Sequence, residues 1–212
     1  MKDQTDLIGK YFSGITEKQL NQFNRLHAVY SLWNRRLNLI SRKDFLFLQE
    51  RHVLHSLSIA KFMHFIAGTE IMDAGTGGGF PGIPLAIYFP QTRFLLVDSI
   101  GKKIQAVREI ASNLGLENVE VKQERVEKIK GQFDYVVSRA VTGLSPFYDW
   151  TKNKIKAIGR NDRPNGIIYL KGGDLTAELK GLNQHAEIHD ISTYFREPFF
   201  SSKKLVYIPR SE

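Results

Sequence analysis

The residues with the clearest chemical potential lie in a glycine-rich segment, Asp-Ala-Gly-Thr-Gly-Gly-Gly-Phe-Pro-Gly, at positions 73–82. A short apolar run precedes this segment, and a short helical pattern follows it. A strand that enters a glycine-rich turn and continues into a helix is a common way for an α/β protein to bring its backbone close to a nucleotide. Several binding chemistries share this arrangement, so the spacing of the glycines has to distinguish them.

Two common nucleotide-binding loops do not match the spacing. The dinucleotide fingerprint G-x-G-x-x-G fits at Gly75 and Gly77, but its third position is Phe80, where close packing of helix on strand requires a glycine. The phosphate-binding loop G-x-x-x-x-G-K-[ST] fits at Gly77 and Gly82, but Ile83 follows where a lysine is required. A standard nicotinamide or flavin site and a triphosphate site are therefore both disfavoured.

The spacing that remains, D-x-G-x-G-x-G at positions 73–79, is typical of the nucleoside loop of class I methyltransferases. Their cofactor, S-adenosylmethionine, carries no phosphate, so it needs a backbone groove and a carboxylate for its ribose hydroxyls rather than a lysine. Asp98 stands 23 residues after Gly75, at the end of the next apolar run, where it can supply that carboxylate. We predict cofactor contacts at Asp73, Gly75, Gly77 and Asp98. The alternative is a tight strand–helix connection that binds nothing.

The pattern of apolar residues places this loop in an α/β unit that follows a helical segment. Thr16 and Gln19 can form a capping box at the start of one helix, and a second helical pattern runs from about Asp44 to Phe65. Strands then alternate with helices, and the predicted strands are Glu70–Asp73, Arg93–Asp98, Val119–Val121, Phe133–Ser138, Gly166–Lys171, Glu187–Phe195 and Lys204–Ile208. This alternation predicts a parallel sheet with an antiparallel edge. We expect two units, a helical extension at 1–66 and an α/β domain at 67–212.

Composition and charge limit the class of protein. The chain has 212 residues and no cysteine, which excludes disulfides, thiolate metal sites and cysteine nucleophiles. Its first residues lack the features of a secretory signal, and no apolar stretch is long enough for a bilayer, so we expect a cytoplasmic protein without a membrane partner. The net charge of +8 divides into +5 for 1–66, −1 for 67–149 and +4 for 150–212. A basic excess on both flanks favours a polyanionic partner such as nucleic acid.

Several segments together resemble one known family. They are Asp73–Ala86, Asp98–Lys103, Arg125–Lys128, Ser138–Ala140 and Leu170–Gly172, with Leu37–Ile40 and Arg51–Leu54 upstream. The family they resemble is RsmG (GidB), bacterial methyltransferases that act on N7 of a guanine in 16S ribosomal RNA. The combination of Phe-Pro-Gly-Ile-Pro with Ser-Arg-Ala is specific to this family rather than to methyltransferases in general. The resemblance covers about residues 30–208.

The resemblance implies a class I, Rossmann-like methyltransferase fold, α/β in class, with a mostly parallel seven-stranded sheet and an N-terminal helical extension. It implies S-adenosylmethionine as cofactor, and 16S ribosomal RNA or the small ribosomal subunit as partner. We expect the protein to be a monomer. The cofactor contacts of the family carry over to Gly75, Phe80, Val126, Glu127 and Arg139. This chain departs from the family in two places. His55 stands where the family often has an aspartate, and Gly159–Gly166 is longer than usual.

Basic residues on the extension and near the predicted sheet edge are candidates for RNA contacts. Arg139 ends a strand at the edge where ligands bind in such folds, so its guanidinium can hold the methionine carboxylate or guide the guanine. Lys102 and Lys103 stand in the first turn of a helix, where a nearby phosphate would offset the unfavourable helix dipole. The full predicted set is Arg35, Arg36, Arg51, Lys102, Lys103, Arg139 and Lys171. His52 and His55 lack acidic or cysteine partners, so no metal site is predicted.

The expected chemistry needs no catalytic residue of the acid, base or nucleophile type. Guanine N7 presents an unprotonated lone pair, so a direct in-line displacement requires alignment rather than proton removal. Methylation at pyrimidine C5 usually needs a cysteine, and the motif usual for exocyclic amines is replaced here by Ser-Arg-Ala-Val at 138–141. Two alternatives stay open. One is a class I methyltransferase with another RNA base or a non-RNA substrate, and the other is a non-catalytic RNA-binding assembly protein.

Overall fold

A seven-stranded sheet organises the computed structural model, which describes residues 6–211. Its strands are β1 (Glu70–Ala74), β2 (Arg93–Asp98), β3 (Val119–Gln123), β4 (Tyr135–Arg139), β5 (Gly166–Gly172), β6 (Glu187–Asp190) and β7 (Lys203–Pro209). Their order across the sheet is β3–β2–β1–β4–β5–β7–β6. The first five strands pair in parallel, and β7 runs antiparallel between β5 and β6. The predicted parallel sheet with an antiparallel edge is confirmed.

Helices cover both faces of this sheet. They are α1 (Asp6–Tyr11), α2 (Glu17–Leu37), α3 (Arg42–Phe45), a π-helix (Leu48–Leu54), α4 (His55–Phe62), α5 (Gly82–Tyr88), α6 (Gly101–Asn113), α7 (Leu144–Thr151) and α8 (Thr176–Lys180). The sheet face that carries Ile71 and Tyr135 shares one hydrophobic core with the helices before β1 and with α5 and α6. The opposite face, which carries Met72 and Val136, packs on α7 and on the residues around α8. None of the helices in residues 6–211 is long and apolar enough to cross a membrane.

The start and end of α2 follow from local hydrogen bonds. Thr16 Oγ1 accepts from the Gln19 N–H at 3.3 Å, and the Gln19 side-chain oxygen accepts from the Thr16 N–H at 2.9 Å. The predicted capping box is therefore present. Beyond the helix, Asn38 adopts the left-handed conformation (φ +47°), and the Asn34 side chain bonds both backbone groups of Ile40. These contacts fix the path by which the chain leaves α2.

The helical pattern predicted from about Asp44 to Phe65 corresponds to three helices rather than one. The segment contains the end of α3, the π-helix and α4, which ends at Phe62. A π-helix brings residues i and i+5 to one face, whereas an α-helix turns them apart. Leu48 and Val53 are five residues apart and both fully buried. The apolar spacing in this region thus fits the wider helix.

The predicted strand Glu187–Phe195 is wrong in its second half. β6 ends at Asp190, and Ile191–Thr193 form a single 3₁₀ turn. The turn lets Ile191 and Phe195 enter the core that the sheet shares with the N-terminal helices, while the polar residues between them stay exposed. Tertiary packing therefore overrides the strand pattern at this point.

Candidate functional site

The glycine-rich segment forms the loop between β1 and α5, at the carboxyl edge of the parallel strands. Gly75 and Gly77 have φ values of +72° and +57°, a left-handed conformation that favours glycine. A Cβ atom at Gly75 would lie 2.6 Å from Val141 Cγ2, so this position is filled by the protein itself. A Cβ atom at Gly77 would meet no heavy atom nearer than the Gly75 carbonyl oxygen at 3.9 Å. The backbone at Gly77 therefore borders open space, as a groove for a nucleoside requires.

Asp73, at the end of β1, shapes this loop from inside. Its Oδ2 atom accepts hydrogen bonds from the Gly82 N–H at 2.8 Å and from Thr76 Oγ1 at 2.5 Å. Its Oδ1 atom is buried without a partner among residues 6–211. Burial raises the pKa of this carboxyl to about 7. The side chain that we predicted as a cofactor contact thus ties both ends of the loop together and keeps one acceptor unused.

Asp98, at the end of β2, stands on the other side of the loop. Its Oδ2 accepts from the Gly77 N–H, and its Oδ1 accepts from the Ile100 N–H, each at 2.9 Å. A carboxylate oxygen has two lone pairs, so each oxygen retains an acceptor position after these bonds. A carboxylate oriented by two backbone amides beside an open glycine backbone fits the ribose hydroxyls of an adenosine. The residues present therefore fit S-adenosylmethionine.

Phe80 is held by residues that lie far from it in sequence. Its ring is 3% exposed and stacks on Tyr30 of α2, with ring centroids 5.0 Å apart. Tyr30 Oη donates to the Gly78 carbonyl at 2.7 Å, so this one side chain packs on the loop and bonds it. The ring of Phe80 faces protein, and a cofactor contact at this position would involve its backbone. Sequence reasoning did not single out Tyr30, because a tyrosine at an apolar helical position gives no sign of its partner.

Arg139, at the end of β4, is partly buried between Phe80 and the π-helix. Its guanidinium carbon lies 5.1 Å from the Phe80 centroid, and its N–H groups bond the Arg51 carbonyl at 3.1 Å and His52 Nδ1 at 2.8 Å. A guanidinium only donates, so His52 Nδ1 is an acceptor and the ring is neutral. Burial and the neighbouring Arg139 lower the pKa of His52 to about 3, and burial lowers the pKa of Arg139 to about 10. The predicted carboxylate-binding arginine is thus oriented by neutral groups, which leaves its charge uncompensated by contact.

The residues predicted after β3 form a 3₁₀ turn, Val126–Lys128. Val126 is buried and Glu127 is exposed. Lys154 stabilises this turn, because its Nζ donates hydrogen bonds to the carbonyls of Glu127 at 3.2 Å and Ile129 at 2.7 Å. Burial lowers the pKa of Lys154. No pattern in the sequence distinguishes this lysine from its basic neighbours.

The predicted RNA contacts fall into two groups. Arg35 and Arg36 are exposed at the end of α2, where they line a cavity of about 940 Å³ with Arg42, and Lys102 is exposed in the first turn of α6 with Lys103 beside it. The other group is engaged by protein partners. Arg51 pairs with Asp44 at 2.7 Å, and Lys171 pairs with Glu178 at 2.5 Å and donates to the Thr142 carbonyl. Within residues 6–211 no group of three or more histidine, cysteine, aspartate or glutamate side chains could hold a metal ion.

The strand order, the glycine loop after β1 and the acid at the end of β2 define a class I, S-adenosylmethionine-dependent methyltransferase. Known structures agree on the fold. A SAM-dependent methyltransferase from Aquifex aeolicus has a TM-score of 0.55 at 16% identity and covers 88% of this chain and 98% of its own. An rRNA methylase from Streptococcus thermophilus has a TM-score of 0.52 at 12% identity and covers 75% of this chain and 95% of its own.

Sequence relatives narrow this class to one family. The GidB family model, rRNA small subunit methyltransferase G, matches residues 19–206. Proteins named Ribosomal RNA small subunit methyltransferase G are 49% identical in Cytophaga hutchinsonii and 51% identical in Flavobacterium johnsoniae. The matches cover 96% of this chain and 98% and 97% of the two relatives. The chain belongs to the GidB family.

Proposed function

We propose that this protein transfers a methyl group from S-adenosylmethionine to N7 of a guanine in the 16S ribosomal RNA of the small subunit. The observation that carries the proposal is the glycine loop with Asp98 beside it, in a chain that is about half identical to the named relatives along nearly its whole length. The choice of guanine N7 rests on the resemblance to the RsmG (GidB) family. The basic charge of both flanks agrees with an RNA partner.

The proposed reaction requires the protein to position the two reactants and to exclude water, but not to transfer protons. When bound, S-adenosylmethionine supplies an electrophilic methyl group, and guanine N7 supplies a lone pair that carries no proton. The backbone of Gly75 and Gly77 and the carboxylate of Asp98 would hold the adenosine, and the turn at Val126–Lys128 would close the groove from the β3 side. Arg139 would face the methionine carboxylate or the guanine. We propose no general base, because holding two aligned reactants away from water accounts for most of the rate enhancement.

We further propose a division of labour within the chain. Residues 67–212 would hold the cofactor, and residues 1–66 would dock the RNA through the exposed Arg35 and Arg36. We propose that the protein acts as a monomer, and a ribosomal substrate supports a cytoplasmic location. Two further predicted RNA contacts, Lys102 and Lys103, lie in the first turn of α6, which follows Asp98.

Nucleoside mass spectrometry tests the function. Unmethylated small subunits, and RNA extracted from them, would each be incubated with the protein and S-adenosylmethionine and then digested. A new 7-methylguanosine peak is the expected result, and the better of the two samples identifies the form of RNA that is recognised. A different methylated nucleoside would move the target to another base. Cofactor binding without methylation of either sample would contradict the proposed substrate.

The salt dependence of RNA binding tests the docking surface. Replacing Arg35 and Arg36 together by alanine should lower the slope of log affinity against log salt by about 1.5, because each phosphate contact contributes about 0.7–0.9. The matched control is the double replacement of Lys18 and Arg25, which lie nearer the start of α2 and remove the same charge. Equal slopes of log affinity against log salt for the two double variants would contradict a docking role for the end of α2.

A further inference from the structure

A second cavity, of about 320 Å³, lies at the carboxyl edge of the sheet next to the glycine loop. The π-helix and α4 line it on one side, the ends of β4 and β5 form its floor, and the residues around the start of β7 close it. The side chains that matter here are Arg51, His55, Arg139, Lys171, Phe199 and Lys203. Arg139 connects this cavity to the loop, since the same guanidinium lies over Phe80.

The cavity has more positive charge than its carboxylates can neutralise. Two of its four cations are paired, Arg51 with Asp44 and Lys171 with Glu178. Neither Arg139 nor Lys203 forms an ion pair with a carboxylate among residues 6–211. Partly buried cations without a counter-charge are costly to keep, and an anionic ligand would relieve that cost. The cavity is thus suited to an anion.

An aromatic ring lies directly beside the unpaired lysine. Lys203 Nζ is 4.7 Å from the centroid of the half-buried Phe199 ring, and the Arg51 guanidinium is 5.5 Å from it. The buried ring of His55 packs on Phe199 edge-on, with centroids 5.7 Å apart. His55 Nε2 has no hydrogen-bond partner among residues 6–211, and burial lowers the pKa of this imidazole well below its ordinary value. A neutral, aromatic wall lies beside two cations, Arg139 and Lys203, that have no carboxylate partner among residues 6–211. This combination matches the two parts of a nucleotide, a base that stacks and a phosphate that needs positive charge.

We propose that this cavity receives the nucleotide to be methylated, with Phe199 stacking on the base and Lys203 neutralising its phosphate. The proposal rests on the proposed function and names residues that the sequence pattern did not single out. The nucleotide has to leave its base stack to enter, as in other enzymes that modify bases. Phe199 and Lys203 are binding residues in this scheme, and neither takes part in holding the adenosine.

Two adjacent lysines provide a matched experiment. Lys203 and Lys204 are consecutive on β7, so their side chains point to opposite faces, and both are partly buried. Lys204 pairs with Asp190 instead of lining the cavity. Lys203→Ala should lower kcat/KM on unmethylated small subunits at least tenfold, while Lys204→Ala, which removes the same charge, should stay within about twofold of the original protein. Lys203→Arg should restore most of the loss.

The cofactor readout separates this proposal from its alternative. Affinity for S-adenosylmethionine should be unchanged in Lys203→Ala, and a weakened cofactor would mean that the cavity serves the cofactor and would overturn the proposal. Equal kcat/KM values for the two alanine variants would overturn it as well. Phe199→Leu should lower activity while Phe199→Tyr retains it, because only the second keeps a stacking ring. If the original protein methylates no small subunit, the proposed function fails separately, and the relative RNA affinities of the two lysine variants then decide for or against the cavity.

Discussion

Replacing Gly77 by alanine should have two separate effects: a loss of folding stability from an unfavourable backbone conformation, and a loss of cofactor affinity from filling the proposed groove. Gly77 has a φ of +57°, and its Cβ position is open apart from the Gly75 carbonyl oxygen at 3.9 Å. Alanine in this conformation costs about 1–2 kcal/mol of folding stability, or roughly 2–8 °C in melting temperature for a chain of this size. The new methyl group would occupy the space that we assign to the adenosine.

Gly115 offers the matched control. It follows α6 with a φ of +65°, and a Cβ atom there meets nothing within 4 Å. Gly115→Ala should therefore destabilise the fold by the same amount as Gly77→Ala, since the backbone strain is the same. It lies beyond the carboxyl end of α6, whereas the proposed groove lies beside the start of that helix.

Calorimetric titration with S-adenosylmethionine distinguishes the two variants. A methyl group that intrudes into a packed contact should reduce the binding free energy of the cofactor by about 1–3 kcal/mol. This weakens the affinity of Gly77→Ala by about 5- to 150-fold. Gly115→Ala should bind the cofactor as the original protein does. If both variants bind equally well after their melting temperatures have fallen together, the groove does not run over Gly77 and the assignment of the loop is refuted.

Three further substitutions, the first with a matched control, test the residues that support the site. Tyr30→Phe removes the hydrogen bond to the Gly78 carbonyl and should weaken cofactor binding. Its control is Tyr135→Phe, which removes a 2.7 Å bond from an equally buried tyrosine to the distant Arg163 carbonyl. Both variants should lose about 1 kcal/mol of stability, but Tyr135→Phe should leave the calorimetric affinity for the cofactor unchanged. Lys154→Met should leave the Ile129 carbonyl, whose bond to Lys154 is buried, without a partner. This should lower the free energy of unfolding by about 1–3 kcal/mol, and an unchanged urea midpoint would contradict it. Because the folded pKa of His52 is about 3, the unfolded chain binds a proton that the folded chain does not, so stability is lost as pH falls below the ordinary value of 6.5. His52→Asn keeps an acceptor for Arg139 and should reduce the slope of the unfolding free energy against pH by about 1.4 kcal/mol per pH unit. Parallel stability curves for the variant and the original protein from pH 6.5 to 5 would show that His52 is not responsible.

Features encoded by neighbouring residues could be predicted from the sequence. The capping box at Thr16, the glycine spacing and the acid at the end of the second strand are all local, and the structure places Asp98 beside the glycine loop, against the Gly77 amide. The parallel sheet follows from the alternation of elements. In each case the interacting residues lie within one supersecondary unit, so the local sequence pattern is sufficient to predict the feature.

Features that depend on distant partners could not be predicted. The π-helix requires the core to select the five-residue spacing of Leu48 and Val53 over an α-helical one. Arg139 was predicted at the correct edge, but its hydrogen bonds to the π-helix join residues 87 and 88 positions apart. Lys171 is predicted as an RNA contact, but its pairing with Glu178 depends on how the chain returns after β5. A charged residue in a sequence shows its charge but not which counter-charge the fold brings to it.

The hydrogen bond from Tyr30 to the Gly78 carbonyl has a consequence for how this enzyme can be divided. The long helix of the extension completes the loop that would hold the cofactor, so the extension is not an interchangeable module that could be transplanted from a relative without its loop. Any RNA-induced shift of that helix would alter cofactor affinity, and thermodynamic reciprocity then requires the cofactor to alter RNA affinity by the same factor. The Tyr30 hydroxyl is thus one direct contact through which RNA binding at the extension and cofactor binding at the loop would be coupled.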